Sequence, residues 1–173
     1  MICFKRLEKL SEMLKLNLIR HAKTNQESPT GKDFDRELLA KGIVQANMLA
    51  VYLDSKHIDL GTVLCSGAKR TRQTWQILEQ QLFPENKATY TDDLYLAIYP
   101  IMMSCIQEQT TKTITVIGHN EGISELASYL SGKDIHLKTC GFIQLVSHFE
   151  NWDELIRDSM ELVDQYRPEV AYP

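Results

Sequence analysis

Short apolar runs alternate along this chain with longer stretches whose apolar residues recur every three or four positions. Leu16-Asn17-Leu18-Ile19 is the first short run, and it ends in Arg20-His21. A run of that length, closed by charged and turn residues, predicts a buried strand whose C-terminal end emerges at a surface. Residues 24–35 are polar, carry Pro29 and Gly31, and read as a loop. Leu39, Ile43, Ala46, Ala50 and Leu53 then fall on one face of a helix. Thr62-Val63-Leu64-Cys65 predicts a second strand, which leads through Ser66-Gly67 into a helix with Trp75, Leu78 and Leu82 on its apolar face. The β-branched run 113–117 predicts a third strand. Gly118-His119-Asn120 turns it into a helix with Ile123, Leu126, Ala127 and Leu130 at i, i+3, i+4 and i+7. Residues 142–146 predict another strand and 160–166 a last one, while 92–109 reads as partly helical with weak patterning. This alternation predicts an α/β three-layer sandwich: a mostly parallel central sheet with helices on both faces.

Composition narrows the class. A chain of 173 residues suits one domain with a full core, expected over residues 13–173. Residues 1–12 read either as an extension or, through Leu7, Leu10 and Leu14, as a short amphipathic helix. Ile2-Cys3-Phe4 is too short for the apolar region of a secretory signal. Apolar residues at 43% and charged residues at 24% match a soluble globular protein, and a net charge of −4 carries no nucleic-acid footprint. Cys3, Cys65, Cys105 and Cys140 form neither a CxxC nor a zinc spacing, so a reduced, cytoplasmic setting is expected. No stretch approaches the length of a membrane span.

Chemistry gathers at the predicted strand ends, where open α/β sheets bind ligands. The first strand delivers Arg20 and His21, with Lys23 just beyond. The second delivers Ser66, expected to cap the next helix, and Arg70 one turn inside it. The third delivers His119 at a helix entrance. Taken alone, Arg20-His21 reads as a surface pair closing a strand. Two arginines, two histidines and two helix N-termini converging on one spot instead suit a phosphoryl group. Other residues read as structural. His57, His136 and His148 lack a ligand pattern, Trp75 belongs to a helical core face, and Asn120 reads as a cap. Arg72 should point away from Arg70 and form a salt bridge. Lys23 either touches phosphate or solvates its loop. Cys65 precedes Arg70 by five positions, one short of what a Cys-x5-Arg phosphatase loop needs.

These segments resemble the motifs of one family. Arg20-His21-Ala22 resembles the Arg-His-Gly signature of the histidine phosphatase (phosphoglycerate mutase-like) superfamily. Residues 35–42 with Gln45-Ala46 are similar to its Asp-Arg-Pro-Leu-Thr…Gly…Gln-Ala segment. Residues 66–74 resemble Ser-Pro-Ala-x-Arg-Ala-x-x-Thr, and residues 118–124 resemble Gly-His-Asn-Pro-Gly-Leu-Ser. The Arg-His-Ala-Lys and His-Asn-x-Gly forms look most like the SixA-type phosphohistidine phosphatases. Three departures stand out: Ala22 for Gly, Gly67 for Pro, and Glu121 for Pro, the last adding a negative charge expected near the pocket.

The resemblance implies a phosphoglycerate mutase-like fold and a phosphatase needing neither cofactor nor metal. His21 would attack phosphorus and hold the phosphoryl group covalently, its other ring nitrogen donating to a carbonyl. Arg20, Arg70 and a protonated His119 would clamp the equatorial oxygens, with Ser66 and Lys23 as further phosphate contacts. In many relatives a Glu after the second arginine helix is the general acid. Here the candidates are Asp92 and Asp93, with Asp33 and Asp35 as rivals and Asp35 also a natural partner of Arg36. Lack of a dedicated acid favours an imidazole leaving group, whose pKa is about 6.5, over an alcohol. The expected substrate is therefore a phosphohistidine protein, such as a phosphorelay transfer domain or a phosphotransferase carrier. A small phosphoester is the second reading and a non-catalytic phosphate-binding adapter the third. Nucleic acid and membrane are not expected partners.

Overall fold

The computed structural model describes residues 13–82 and 87–170; the reading of residues 1–12 lies outside them. Six strands form one sheet: β1 (Leu14–Arg20), β2 (Thr62–Ser66), β3 (Thr89–Thr91), β4 (Thr113–Gly118), β5 (Phe142–Ser147) and β6 (Glu161–Tyr166). Their spatial order is β3-β2-β4-β1-β5-β6. The first four lie parallel, whereas β5 runs antiparallel to both β1 and β6. Four α-helices connect them: α1 (Ala40–Ser55), α2 (Lys69–Leu82), α3 (Tyr99–Gln107) and α4 (Gly122–Ser131).

Both faces of the sheet are covered, and the strands alternate between two cores as the two-residue period demands. Leu14, Leu16, Leu18, Leu64, Ile114 and Val116 meet Met102, Ile106, Leu126 and Leu130 of α3 and α4. On the opposite face Ile19, Val63, Cys65, Ile117 and Phe142 meet Ala46, Leu49, Leu53, Trp75 and Leu78 of α1 and α2. This is the expected three-layer α/β sandwich. Asn17, fully buried between apolar neighbours, is tolerated because its amide donates to the Asp59 carbonyl and to Thr115 and accepts from Gln144.

Two elements differ from the reading of the pattern. The buried face of α1 is Gly42, Gln45, Ala46, Leu49, Ala50 and Leu53, leaving Ile43 at 46% exposure. Gly42 decides this, since a Cβ there would lie 2.1 Å from the Lys23 carbonyl oxygen; the missing side chain lets α1 seat on that segment. β3 was not foreseen because three residues are too few to show alternation. Its pairing with β2 brings the 3-10 turn Asp92–Leu94 beside the C-terminal ends of the parallel strands.

Candidate active site

Strand register builds the site. Arg20 of β1 pairs with Gly118 of β4, so the next residue of each strand, His21 and His119, emerge side by side with ring centroids 5.2 Å apart. Cys65 of β2 pairs with Ile117, which sets Ser66 beside His119. One turn into α2, the buried Arg70 reaches the same place. A cavity of about 500 Å3 is lined there by Arg20, His21, Lys23, Arg36, Arg70, His119 and Asn120, with Asp33 as its one carboxylate among the described residues.

His21 is poised as a base. Its Nδ1 lies 2.8 Å from the Ala22 carbonyl oxygen, which can only accept, so Nδ1 carries the proton. Nε2 keeps a free lone pair. Burial lowers the pKa of His21 to about 3; the Ala22 bond opposes this, and the charges of Arg70, Arg20 and Arg36 add to it. The imidazole is neutral at physiological pH, as a nucleophile must be.

His119 departs from expectation. Arg70 Nε donates to His119 Nδ1 at 3.2 Å, and a guanidinium has no acceptor, so Nδ1 is unprotonated. Nε2 therefore carries the proton and donates to Ser66 Oγ at 2.8 Å. Burial, then His21 and Arg70, push its pKa down to about 2. The expected protonated His119 is thus a neutral imidazole here, because burial, and then the charges beside it, disfavour its protonated form. Ser66 sits behind His119, fully buried and outside the cavity lining. Its hydroxyl also accepts the Ala68 N–H at 3.4 Å, much as a helix cap would.

The arginines are held in fixed poses. Arg20 donates through Nη1 to the Leu137 carbonyl at 2.9 Å, while its buried Nε has no partner among the described residues. Arg70 donates through Nη1 to the Asp33 carbonyl at 2.7 Å and through Nη2 to the Asp33 carboxylate at 2.9 Å. Asp33 also accepts from Arg36 Nη1 and from the Tyr95 hydroxyl, both at 2.7 Å. Its partial burial raises the pKa, but these hydrogen bonds from Arg36, Tyr95 and Arg70 outweigh it and hold the carboxylate well below its usual range. Asp33 is therefore a permanent anion that orients Arg70 and a poor proton donor.

The other acid candidates lie elsewhere. Thr91 caps the Asp92–Leu94 turn by accepting the Asp93 N–H and donates its hydroxyl to the Asp93 carboxylate, and Asp35 accepts from Thr30. Asp92 stands over Gly67, where a Cβ would come within 2.0 Å of its Oδ1, so that proline position of the related motif is filled here by a carboxylate. None of the three lines the cavity. Arg36 pairs with Asp33, not Asp35. Glu121 is exposed and outside the lining, directly after Asn120, which lines the cavity. Among the described residues Arg72 makes no salt bridge; it donates to the Gly67 carbonyl and stacks 4.3 Å from the Tyr90 ring centroid. Asn120 accepts from Ser124 and lines the cavity, beyond the capping expected of it.

Arg36, Tyr95 and Leu96 were missed by sequence reasoning. Arg36 lay inside a matched motif, which was the available signal. Tyr95 approaches His119 edge-on at 5.5 Å, and Leu96 stands 54% exposed on the cavity lining at a φ of 50°. Neither carries a pattern in the sequence. Cys65, fully buried with its thiol pushed up to about 12 by burial, is inert. Among the described residues, no three His, Cys, Asp or Glu side chains group as metal ligands would, and no helix is long and apolar enough to cross a membrane.

A cationic cavity with two imidazoles, set at the carboxyl ends of a doubly covered mixed sheet, defines a phosphatase on a phosphoglycerate mutase-like scaffold. The chain belongs to the histidine phosphatase superfamily: residues 16–95 match its branch 1. It is 32% identical over 152 residues to an uncharacterized chloroplastic protein of Arabidopsis thaliana, spanning 81% of this chain and 69% of that one. Among solved structures, a protein named as the phosphohistidine phosphatase SixA of Agrobacterium tumefaciens superposes with a TM-score of 0.78. It is 26% identical and covers 90% of this chain and 98% of its own. A mycobacterial glucosyl-3-phosphoglycerate phosphatase shares the fold at a TM-score of 0.61, with 14% identity and coverage of 87% and 97%.

Proposed function

We propose that this phosphatase removes phosphoryl groups from protein phosphohistidine, with His21 as the covalent nucleophile. One observation carries the reading: Asp33, the single carboxylate lining the cavity among the described residues, is held ionised by three donors. An alcohol leaving group would need a well-placed acid. A phosphoimidazole protonated on its far nitrogen leaves as neutral imidazole and needs none. His21 Nε2 attacks phosphorus while the bond to the departing imidazole nitrogen breaks. The Nδ1–H held by Ala22 stays in place, so the product is again a phosphoimidazolium. Nucleophile and leaving group are one chemical type, and the exchange is close to balanced. Water then attacks phosphorus, breaks the bond to Nε2 and releases inorganic phosphate.

Arg20 and Arg70 stabilise the charge on the equatorial oxygens. The unpartnered Nε of Arg20 is a donor waiting for such an oxygen. A phosphoryl group arriving as its monoanion can take over Arg70 Nε and give its proton to the freed Nδ1 of His119. His119 then becomes a cationic donor to the phosphoryl group, reconciling its neutral resting state with a clamping role. Lys23 lines the mouth as a further positive charge. The similarity to the Agrobacterium SixA supports the same substrate class.

The test compares kcat/KM on a phosphohistidine protein with a panel of sugar phosphates, alongside rapid quenching with radiolabelled substrate. Faster turnover of the phosphohistidine protein, with alkali-stable and acid-labile label on His21, is expected. Faster turnover of the sugars overturns the substrate assignment. Absence of the label in an active preparation overturns the mechanism.

A further inference from the structure

A second cavity, of about 470 Å3, lies on the other side of the loop that anchors Arg20. Its walls are residues 134–138 of that loop and the end of the sheet formed by Phe142 and Ile143 of β5 and by Gln165, Tyr166 and Arg167 at the β6 edge. The loop is bonded to both members of the Arg20-His21 pair. The Leu137 carbonyl takes Arg20 Nη1, and the Cys140 N–H donates to the His21 carbonyl at 3.0 Å. Thr139 lines the first cavity while Lys138, beside it, lines the second. One ligand lying across this loop would touch both.

The second cavity is cationic. Lys138 and Arg167 line it, with His136, against Asp134 as the one carboxylate among the described residues. All three basic side chains are on exposed residues, and none has a hydrogen-bond or ion-pair partner among the described residues. Across both cavities six Lys and Arg side chains face two carboxylates, in a chain whose net charge is −4. Such a local reversal of sign concentrates anions and steers their approach.

We propose that this groove is an anionic-peptide subsite: it takes an acidic segment flanking the phosphohistidine of the substrate protein, held by Lys138 and Arg167. The proposal rests on the phosphohistidine reading and adds to it the surface chemistry of the partner. Exposed ion pairs are individually weak, so the subsite acts on encounter and KM and leaves the chemical step alone.

The experiment uses three probes: a phosphohistidine peptide flanked by Asp and Glu, its Asn- and Gln-flanked counterpart, and N-phosphoimidazole. In the Lys138→Glu/Arg167→Glu double variant, kcat/KM on the acidic peptide is expected to fall about tenfold at low salt. Turnover of the neutral peptide and of N-phosphoimidazole should stay unchanged. In the unsubstituted enzyme, added salt should weaken the preference for the acidic peptide. Lys138→Gln serves as a milder variant, expected to fall in the same direction by less. Equal losses on all three probes, or no loss on the acidic peptide, overturn the subsite while leaving the substrate class standing. If the unsubstituted enzyme turns over none of the three probes, the underlying reading fails and the subsite falls with it.

Discussion

The two halves of the sheet do different work. The parallel strands β1, β2 and β4 end together, and their register alone sets Arg20-His21, Ser66 and His119 side by side. The antiparallel strands β5 and β6 contribute no reacting group. The pairing of β5 with β1 holds the loop before it, residues 134–141, against Arg20 and the His21 backbone. One half presents the chemistry and the other immobilises it. The first should therefore tolerate almost no substitution in activity, and the second should express its damage as lost stability.

The sharpest test of this division is His21→Ala. Removing the nucleophile should lower kcat by at least about 10^4-fold with the folded state intact, measured by steady-state turnover and circular dichroism. His119→Ala should leave slow turnover, about 10^2- to 10^3-fold down, because it removes charge stabilisation and spares the nucleophile. In the antiparallel half, Phe142→Ala opens a cavity at a fully buried ring and should cost about 3–5 kcal/mol in urea unfolding. Its kcat should stay within a few-fold of the parent below the melting range. A collapse of kcat in that variant would erase the distinction between the halves.

Asp33→Asn is a finer probe. It keeps the backbone carbonyl that accepts Arg70 Nη1 but removes the charge that accepts Arg70 Nη2, Arg36 and Tyr95. A loss of roughly tenfold to a hundredfold in kcat/KM is expected, the worth of a charge-assisted hydrogen bond. An unchanged value would show that Arg70 is held by the carbonyl alone.

The last test is on pH. His21 and His119 are buried and neutral, with pKa values lowered to about 3 and about 2. Between those values and the ordinary imidazole value of about 6.5, the unfolded chain binds protons that the folded chain does not. Their contribution to stability is full above that value and is lost as pH falls toward 3. Urea midpoints should drop between pH 7.5 and pH 4.5, and His119→Gln should show a shallower drop. An identical slope in that variant would mean that His119 titrates normally in the folded protein.

Much of this was legible in the sequence. Among the described residues, five of the six strands and three of the four α-helices fall in segments that the apolar period indicated, because alternation and helical spacing are local and need only near neighbours; α3 lies in the weakly patterned stretch 92–109. The gathering of Arg20, His21, Arg70 and His119 was equally legible, since each follows directly from a strand end and a parallel sheet brings those ends together. The acid candidates were not. Asp93 and Asp35 are turned toward their own loops, and Asp92 is turned toward Gly67.

The chain on its own determined which elements form and which residues stand at their ends. Tertiary structure decided what those residues are bonded to, and through that their protonation. His119 is neutral because folding buries it, and its tautomer is fixed by Ser66 and Arg70, which come to it from 53 and 49 positions away. Arg70 is fixed by Asp33, 37 positions distant, and Arg20 by Leu137, 117 positions distant. A periodic pattern encodes the face a residue presents. The partner it meets depends on strand register and loop closure, which no local stretch of sequence contains.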